Sequence, residues 1–220
     1  MKTKNSTIIK TAVGIAVFSA LAFIVSFVFR LPVMFLTFDA KDAIIAIASF
    51  IYGPISGIIM ALIAALLELV SVSDTGIYGF IMNFASSATF ALVASIIYKF
   101  KRNFVGSIIG LYSAVAATTA VMMLLNTFVT PYYMGVPQAA VIEMLPTVLL
   151  PFNLAKSLMN AAIAMLLYKP IIYSLRRAKL VSFSSGDRSY GFNRRSVITL
   201  IIGGITLAVA IVIFVILKSK

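Results

Sequence analysis

Long apolar segments recur along this chain of 220 residues, and only short charged or turn-rich stretches separate them. Hydrophobic residues form 62% of the chain and charged residues 11%, whereas soluble domains contain roughly 45–50% and 25% of these classes. A helix needs about 20 consecutive apolar residues to cross a bilayer. The sequence therefore predicts an all-α integral membrane protein that crosses the lipid bilayer several times and has no large soluble domain.

The apolar pattern and its breaks predict seven helices. Their approximate ranges are 8–29, 43–52, 55–72, 77–98, 104–127, 147–168 and 197–217. Gly53 and Pro54 separate the second helix from the third, because proline cannot continue a helix. The loop expected before the sixth helix holds Pro131, Tyr132, Tyr133, Gly135 and Pro137.

Residues 1–180 are expected to form a six-helix membrane domain that binds a substrate. Residues 181–196 are expected to be a basic cytoplasmic linker, in which several serines and Gly186 are typical of a flexible tether. Residues 197–220 are expected to form an accessory transmembrane helix that carries no strongly polar group in its apolar stretch. We therefore expect a chain ended after Val181 to keep its binding activity.

The distribution of basic residues predicts a cytoplasmic N-terminus, because lysine and arginine concentrate in cytoplasmic loops. With this orientation four of them lie outside: Arg30, Lys41, Lys218 and Lys220. Thirteen lie inside: Lys2, Lys4, Lys10, Lys99, Lys101, Arg102, Lys169, Arg176, Arg177, Lys179, Arg188, Arg194 and Arg195. Membrane topology therefore explains the net charge of +12 better than a nucleic-acid partner does.

The composition also excludes several kinds of chemistry. The chain contains no cysteine and no histidine, which removes thiol nucleophiles, thiolate metal sites and the commonest general base. It lacks the glycine-rich phosphate loop of ATPases, and no catalytic constellation is evident. We expect neither an enzyme nor a resident cofactor or metal.

Lys156 is the most informative polar residue, because it lies within an apolar segment long enough to cross the bilayer. An ammonium group in hydrocarbon is costly, and by default it indicates a ligand or ion site. Asn153 lies three residues before Lys156 and Asn160 four after it, so all three share one helical face. A lysine that reaches the membrane interface from near a helix end is the alternative interpretation.

The strongly polar residues of four helices fall in the outer half of the predicted bundle. They are Glu68, Asn83, Asn126, Asn153 and Lys156. Amides and one cation that open toward the outside favour a pocket for a small polar molecule. Interhelical hydrogen bonds that only hold the bundle together are the alternative.

The first helix carries small residues at a regular spacing: Ala12, Ala16 and Ala20 recur every four residues. Such residues form a flat ridge that another helix can approach closely. The approaching helix belongs either to a partner protein or to this chain.

The run FLTFDAKDAIIAIASFIYGPISGIIMALI and the following SDTGIYGFIMNF resemble the substrate-binding S components of energy-coupling factor (ECF) vitamin transporters, and most of all the riboflavin-specific members. The resemblance covers about residues 8–178 and includes the Phe38-Asp39 pair and the Gly53-Pro54 break. It implies a six-helix core in a bacterial cell membrane that binds riboflavin or a related flavin as transported ligand. It also implies a transmembrane T component, which would contact the alanine ridge, and two ATP-binding subunits.

The resemblance also implies roles for particular residues. Asn126, Asn153 and Lys156 would hydrogen-bond the isoalloxazine ring. The lid over the ligand would consist of Leu36, Thr37, Phe38 and Asp39, and Asn83, Asn160 and Glu68 complete the expected substrate site. Glu68-Leu69 stands where many riboflavin-specific members have Lys-Asn, which leaves open whether riboflavin or flavin mononucleotide is preferred.

Other functions remain open from the sequence. One is an S component for another vitamin. A second is a proton-coupled secondary transporter in which Glu68 and Lys156 form a switching pair. A third is a structural subunit whose amides only join helices. Only a flavin binder would be yellow after purification.

Overall fold

The computed structural model describes residues 2–73, 75–101, 104–177 and 194–219, and these residues are helical nearly throughout. The helices are Lys2–Val28 (α1), Lys41–Tyr52 (α2), Pro54–Ser71 (α3), Gly76–Phe100 (α4), Phe104–Met134 (α5), Gln138–Met144 (α6), Leu150–Arg177 (α7) and Arg194–Lys218 (α8). A π-helical turn, Leu145–Leu149, joins α6 to α7. Two strands, Leu31–Val33 (β1) and Leu36–Phe38 (β2), lie between α1 and α2.

Six of the described helical segments are long and apolar enough to cross a membrane. They are Ile8–Val28, Pro54–Ser71, Gly76–Phe100, Val105–Met134, Gln138–Leu175 and Val197–Lys218. With 12 residues, α2 is too short to do so. The predicted helical membrane fold with an additional C-terminal helix is therefore confirmed. Most of the expected linker, 181–193, lies outside the described residues.

The segment between α1 and α2 contains a β-hairpin that the sequence analysis did not predict. Strands β1 and β2 pair antiparallel, with Leu31 opposite Phe38 and Val33 opposite Leu36. The turn between them places Met34 at φ 54°, in the left-handed region that residues other than glycine seldom adopt. The hairpin buries Val33 and Phe38 against the helices.

Helix α5 is longer than predicted, since it continues through Pro131 to Met134. Pro131 has no backbone N–H to donate to the carbonyl of Thr127, four residues earlier. The side chain of Gln138 donates to that carbonyl instead, at 3.2 Å. The predicted loop is therefore shorter than expected. Pro131, Tyr132 and Tyr133 are helical, because a side chain replaces the missing hydrogen bond, whereas Gly135 and Pro137 do lie between α5 and α6.

The short helix α2 lies at the centre of the bundle, in contact with α1, α3, α4 and α7. All ten of its residues from Lys41 to Phe50 are buried. The neighbouring helices present alanines that are completely buried, among them Ala61 on α3 and Ala91 on α4. Small side chains let helices approach closely, so α2 is enclosed by protein although its sequence is apolar enough for lipid.

Helix α8 packs against α7. At Gly203 an added Cβ would lie 3.3 Å from the side chain of Leu166 on α7, so the two helices are in close contact. The hydroxyl of Thr206 lies 2.5 Å from that of Tyr112 on α5. The last turn of α8 reaches the hairpin, where Leu217 is buried beside Phe38. The end of α8 and the end of α1 therefore lie on the same side of the bundle.

Gly110 on α5 supports the close approach of α5 to α4. An added Cβ there would lie 2.6 Å from the carbonyl oxygen of Ala94, which is part of the backbone of α4. We expect Gly110→Ala to force these helices apart and to lower the thermal stability of the protein in detergent, at a cost of about 1–3 kcal/mol. Size-exclusion chromatography of heated samples measures the loss.

Gly204→Ala on α8 is the matched control, because nothing lies within 4 Å of the added Cβ. This variant should melt at or slightly above the wild-type temperature. Equal losses in the two variants would show that the α4–α5 approach is not tight at Gly110.

Candidate binding cavity under the hairpin

A cavity lies under the hairpin, between the last turns of α3 and α5 and the first turns of α4 and α7. The volume open to the centres of water molecules in this cavity is about 170 Å³, and a cavity of this volume holds about a dozen waters. At roughly 30 Å³ of liquid per water, the space is at the lower end of the pocket sizes that bind small organic molecules, about 300–1,000 Å³.

The structure brings most of the residues expected in the substrate site to this cavity. Eight of them line it: Leu36, Thr37, Asp39, Glu68, Asn83, Asn126, Asn153 and Lys156. They come from four helices and the hairpin, so distant parts of the chain converge here. The lining also includes Arg30, Ser86, Tyr133 and Phe152, which the sequence analysis did not assign to the site.

Two expected site residues lie outside the cavity lining. Asn160 is completely buried; its amide oxygen accepts from the backbone N–H of Ala43 at 2.8 Å, and its amide nitrogen donates to the backbone carbonyl of Asp39 at 3.0 Å. Its bonds therefore hold the start of α2 and the end of the hairpin against α7. Phe38 is 3% exposed and is likewise not among the residues that line the cavity. That these two residues contact a ligand stays a prediction.

Phe38 belongs to a small apolar group, the hairpin cluster, which consists of Val33, Phe38, Phe152, Leu217 and Phe214. The first two residues come from the hairpin, Phe152 comes from α7, and the last two come from α8. The rings of Phe38 and Phe214 meet edge to face, with centroids 5.6 Å apart. The hairpin cluster thus joins the roof of the cavity to two helices.

A chain of buried charges forms one wall of the cavity. Lys156 Nζ lies 2.7 Å from Asp39 Oδ2, and Lys41 Nζ lies 3.3 Å from the same oxygen. Lys41 also contacts a carboxylate oxygen of Glu68 at 2.9 Å. The network therefore connects α7, the end of the hairpin, α2 and α3, with Asp39 between two ammonium groups.

The charged state of Asp39 follows from these neighbours. Burial on its own would raise the pKa of the Asp39 carboxyl, but the ammonium groups of Lys156 and Lys41 outweigh burial and hold the pKa well below its usual range. Asp39 is therefore ionised at physiological pH and remains an anionic partner for both lysines.

The sequence analysis did not identify two buried charged residues, Lys41 and Asp42, that lie beside the cavity. Lys41 was counted as an outer loop charge, yet it is 1% exposed. Asp42 is 2% exposed and accepts a hydrogen bond from the hydroxyl of Ser87. The signal was the position of both charges at the start of an otherwise nearly apolar helix, where a buried charge needs a partner.

The asparagines of the cavity keep hydrogen-bonding capacity for a ligand. Asn126 donates to the carbonyl of Met122 at 2.7 Å, and Asn153 donates to that of Leu149 at 2.8 Å. A primary amide has two N–H donors and two acceptor sites, so each side chain is oriented by its own helix and retains a free donor. Asn83 has no hydrogen-bond partner among the described residues and is wholly available.

The model of the family described as "ECF transporter, substrate-specific component" matches residues 10–172. The chain belongs to this family. The match covers α1 to α7 and therefore all of the helices that line the cavity. It also confirms the function class that the sequence resemblance implied, the substrate-specific (S) component of an ECF transporter.

Two curated relatives support this assignment. This S component is 35% identical over 178 residues to "Riboflavin transporter RibU" of Staphylococcus aureus (strain TCH60), an alignment that covers 76% of this chain and 93% of the relative. It is 27% identical over 187 residues to "Riboflavin transporter FmnP" of Bacillus subtilis (strain 168), with 78% and 98% covered.

A solved structure has the same fold. It is reported as "Structure and mechanism of the S component of a bacterial ECF transporter" and is 34% identical in sequence to this chain. The two structures superpose with a TM-score of 0.65, and the superposition covers 76% of this chain and 98% of the other chain. The family match ends at residue 172, so α8 lies beyond it.

Removal of one partner from the buried charge network should destabilise this S component strongly. We expect Lys41→Met to lower the free energy of unfolding by about 3–5 kcal/mol, because it leaves the buried Glu68 without its cation. Unfolding in a denaturing detergent, followed by circular dichroism, measures the effect. Lys99→Met, on the exposed end of α4, is the control and should change little.

The double variant Lys41→Met, Glu68→Leu should recover part of the lost free energy of unfolding, since no uncompensated carboxylate then remains at position 68. A single Lys41→Met variant as stable as the wild type would contradict the pairing.

Proposed function

We propose that this S component captures riboflavin or flavin mononucleotide from the outside of a bacterial cell membrane. The observation that carries the proposal is the convergence of Asn126, Asn153 and Lys156 on one cavity under the hairpin. The relative that is 35% identical is named a riboflavin transporter, which supports the choice of a flavin over another vitamin.

The chemistry of the cavity suits a flavin. The edge of the isoalloxazine ring carries carbonyl acceptors beside an N–H donor, and asparagine amides can complement both. The apolar faces of the ring would lie against Leu36, Met122 and Phe152, which line the same cavity. The hydroxyls of the ribityl chain would lie toward Asn83 and Ser86 on α4.

Lys156 can serve the ligand without leaving Asp39. An ammonium group has three N–H donors, of which one is directed at Asp39 at 2.7 Å and a second at the carbonyl of Thr37 at 3.4 Å. The third remains for a ring carbonyl or ring nitrogen. Asp39 would thereby hold Lys156 in position for the ligand and tie the hairpin to the ligand-binding helix at the same time.

The transport cycle would need other chains. A T component and two ATP-binding subunits would supply the energy, since this chain has no phosphate loop. The ridge Ala12, Ala16 and Ala20 is exposed on α1, whereas the neighbouring Gly14 is buried against Tyr52. The exposure of all three alanines favours a partner protein over a helix of this chain as the binding partner.

The proposal includes the orientation of the protein in the membrane and the extent of its substrate-binding unit. The N-terminus would be cytoplasmic, which places the hairpin and the cavity outside. The substrate-binding unit would be residues 1–180, because no residue of α8 lines the cavity. Glu68 pairs with Lys41, and Lys156 pairs with Asp39. These pairings argue against a proton-coupled switch between Glu68 and Lys156.

The proposal is tested by the absorption spectrum of the protein purified from cells grown with riboflavin. A flavin spectrum near one equivalent per chain is expected. A colourless protein that also fails to bind added riboflavin or flavin mononucleotide would contradict the proposal.

We expect Lys156→Met to weaken riboflavin binding at least tenfold, about 1.4 kcal/mol, because it removes both a donor to the ring and the cation that positions Asp39. Quenching of flavin fluorescence during titration measures the affinity. Lys169→Met on the exposed part of the same helix is the control and should bind as the wild type does.

A second variant separates binding from folding. Asn83→Ala breaks no hydrogen bond within the described protein, so it should fold normally and weaken binding a few-fold. Unchanged affinity in both Lys156→Met and Asn83→Ala would remove this cavity from consideration as the flavin site.

The alanine ridge yields a separate expectation. Ala16→Trp should still bind flavin in detergent but should no longer co-purify with the T component, because the large ring prevents close helix approach. Val212→Trp, on the exposed face of α8, is the control and should retain the T component. Loss of flavin binding in Ala16→Trp would instead show that the ridge packs within this subunit.

A further inference from the structure

The C-terminal helix reaches the roof of the cavity, although it lies beyond the family match. Phe214 and Leu217, in the last turns of α8, pack in the hairpin cluster against Val33 and Phe38 of the hairpin. Leu217 and Phe38 are 4% and 3% exposed. The hairpin cannot move away from the cavity without breaking this contact.

Helix α8 is itself held by the core of the bundle. Gly203 fits closely against Leu166 of α7, and Thr206 is hydrogen-bonded to Tyr112 of α5. These contacts lie two to three turns before Phe214, so the last turns of α8 are a fixed support and cannot simply follow the hairpin. No residue of α8 lines the cavity, so α8 can influence a ligand only indirectly, through the hairpin and through Phe152 of α7, which belongs to the same cluster.

We propose that α8 latches the hairpin over the cavity, and that Phe214 and Leu217 are positioning residues which set how fast the ligand enters and leaves. This proposal rests on the proposed function for the identity of the ligand. Neither Phe214 nor Leu217 lines the cavity, so their contact with the hairpin needs no ligand, and the latch would act on the empty and the loaded protein alike.

This arrangement has a particular kinetic consequence. If the latch acts equally on the empty and the loaded protein, its loss raises the frequency of opening in both. Association and dissociation then accelerate by the same factor, and the equilibrium affinity stays constant. A residue that contacts the ligand behaves differently, since its loss raises dissociation and weakens affinity together.

The test measures both rate constants for riboflavin by stopped-flow fluorescence with the full-length protein. We expect Phe214→Ala to raise both about tenfold while Kd changes less than twofold. Ile216→Ala, in the same turn but 53% exposed, is the matched control and should have wild-type rates. Phe214→Leu keeps an apolar side chain and should give a smaller increase in both rates.

A second readout needs no ligand. The natural chain has no cysteine, so Val33→Cys introduces a single thiol on the buried side of the hairpin. Its labelling by a maleimide in detergent should be slow, and Phe214→Ala should accelerate it about tenfold. Ile216→Ala should leave it unchanged.

Unchanged rates and unchanged labelling in Phe214→Ala would overturn the latch. Faster dissociation with a proportional loss of affinity would also overturn it, because α8 would then stabilise the bound ligand alone. If the wild-type protein binds no flavin, the proposed function fails, and the labelling experiment still decides whether α8 latches the hairpin.

Discussion

The carboxylate of Asp39 holds together the parts of this protein that surround the cavity. It lies 2.7 Å from the ammonium of Lys156 and 3.3 Å from that of Lys41, and Lys41 continues the chain of charges to Glu68. Each of these charges would be costly in a membrane bundle without the others. Their pairing fixes the end of the hairpin between α7, α2 and α3, and the cavity exists because that position is fixed.

Around this network the packing is apolar and close. The central helix α2 is too short to cross the bilayer, but it is surrounded by α1, α3, α4 and α7, and alanines on its neighbours let them approach. Asn160 adds hydrogen bonds to the backbone of Ala43 and Asp39 where α2 begins. The hairpin cluster adds apolar contacts with α7 and α8, so both the charges at Asp39 and this apolar packing hold the hairpin.

The sequence predicted the long helices well, because a run of about 20 apolar residues has few alternatives in a membrane. It also predicted that Lys156 and the asparagines would line one pocket, since a cation and amides are rare in apolar helices and here lie at a similar depth in the membrane. It did not predict the partners of the charges. Asp39 and Lys156 are 117 residues apart, and such a pairing depends on how the helices pack.

Two further misses have local causes. Strands of three residues are too short to give a recognisable alternating pattern, so the sequence does not predict the hairpin. Pro131 suggested the end of α5, but the side chain of Gln138 supplies the hydrogen bond that the proline removes. The contact of α8 with the hairpin has no sequence signal, since Phe214 and Leu217 resemble the lipid-facing residues around them.

The most direct measurement is an experimental structure of the protein with riboflavin bound. The isoalloxazine ring should lie under the hairpin, with its edge within hydrogen-bonding distance of Asn126, Asn153 and Lys156, while Asp39 still contacts Lys156. A ring bound elsewhere, or a ring in the cavity with Lys156 turned away from it, would contradict the assignment of this cavity and its charge network to ligand capture.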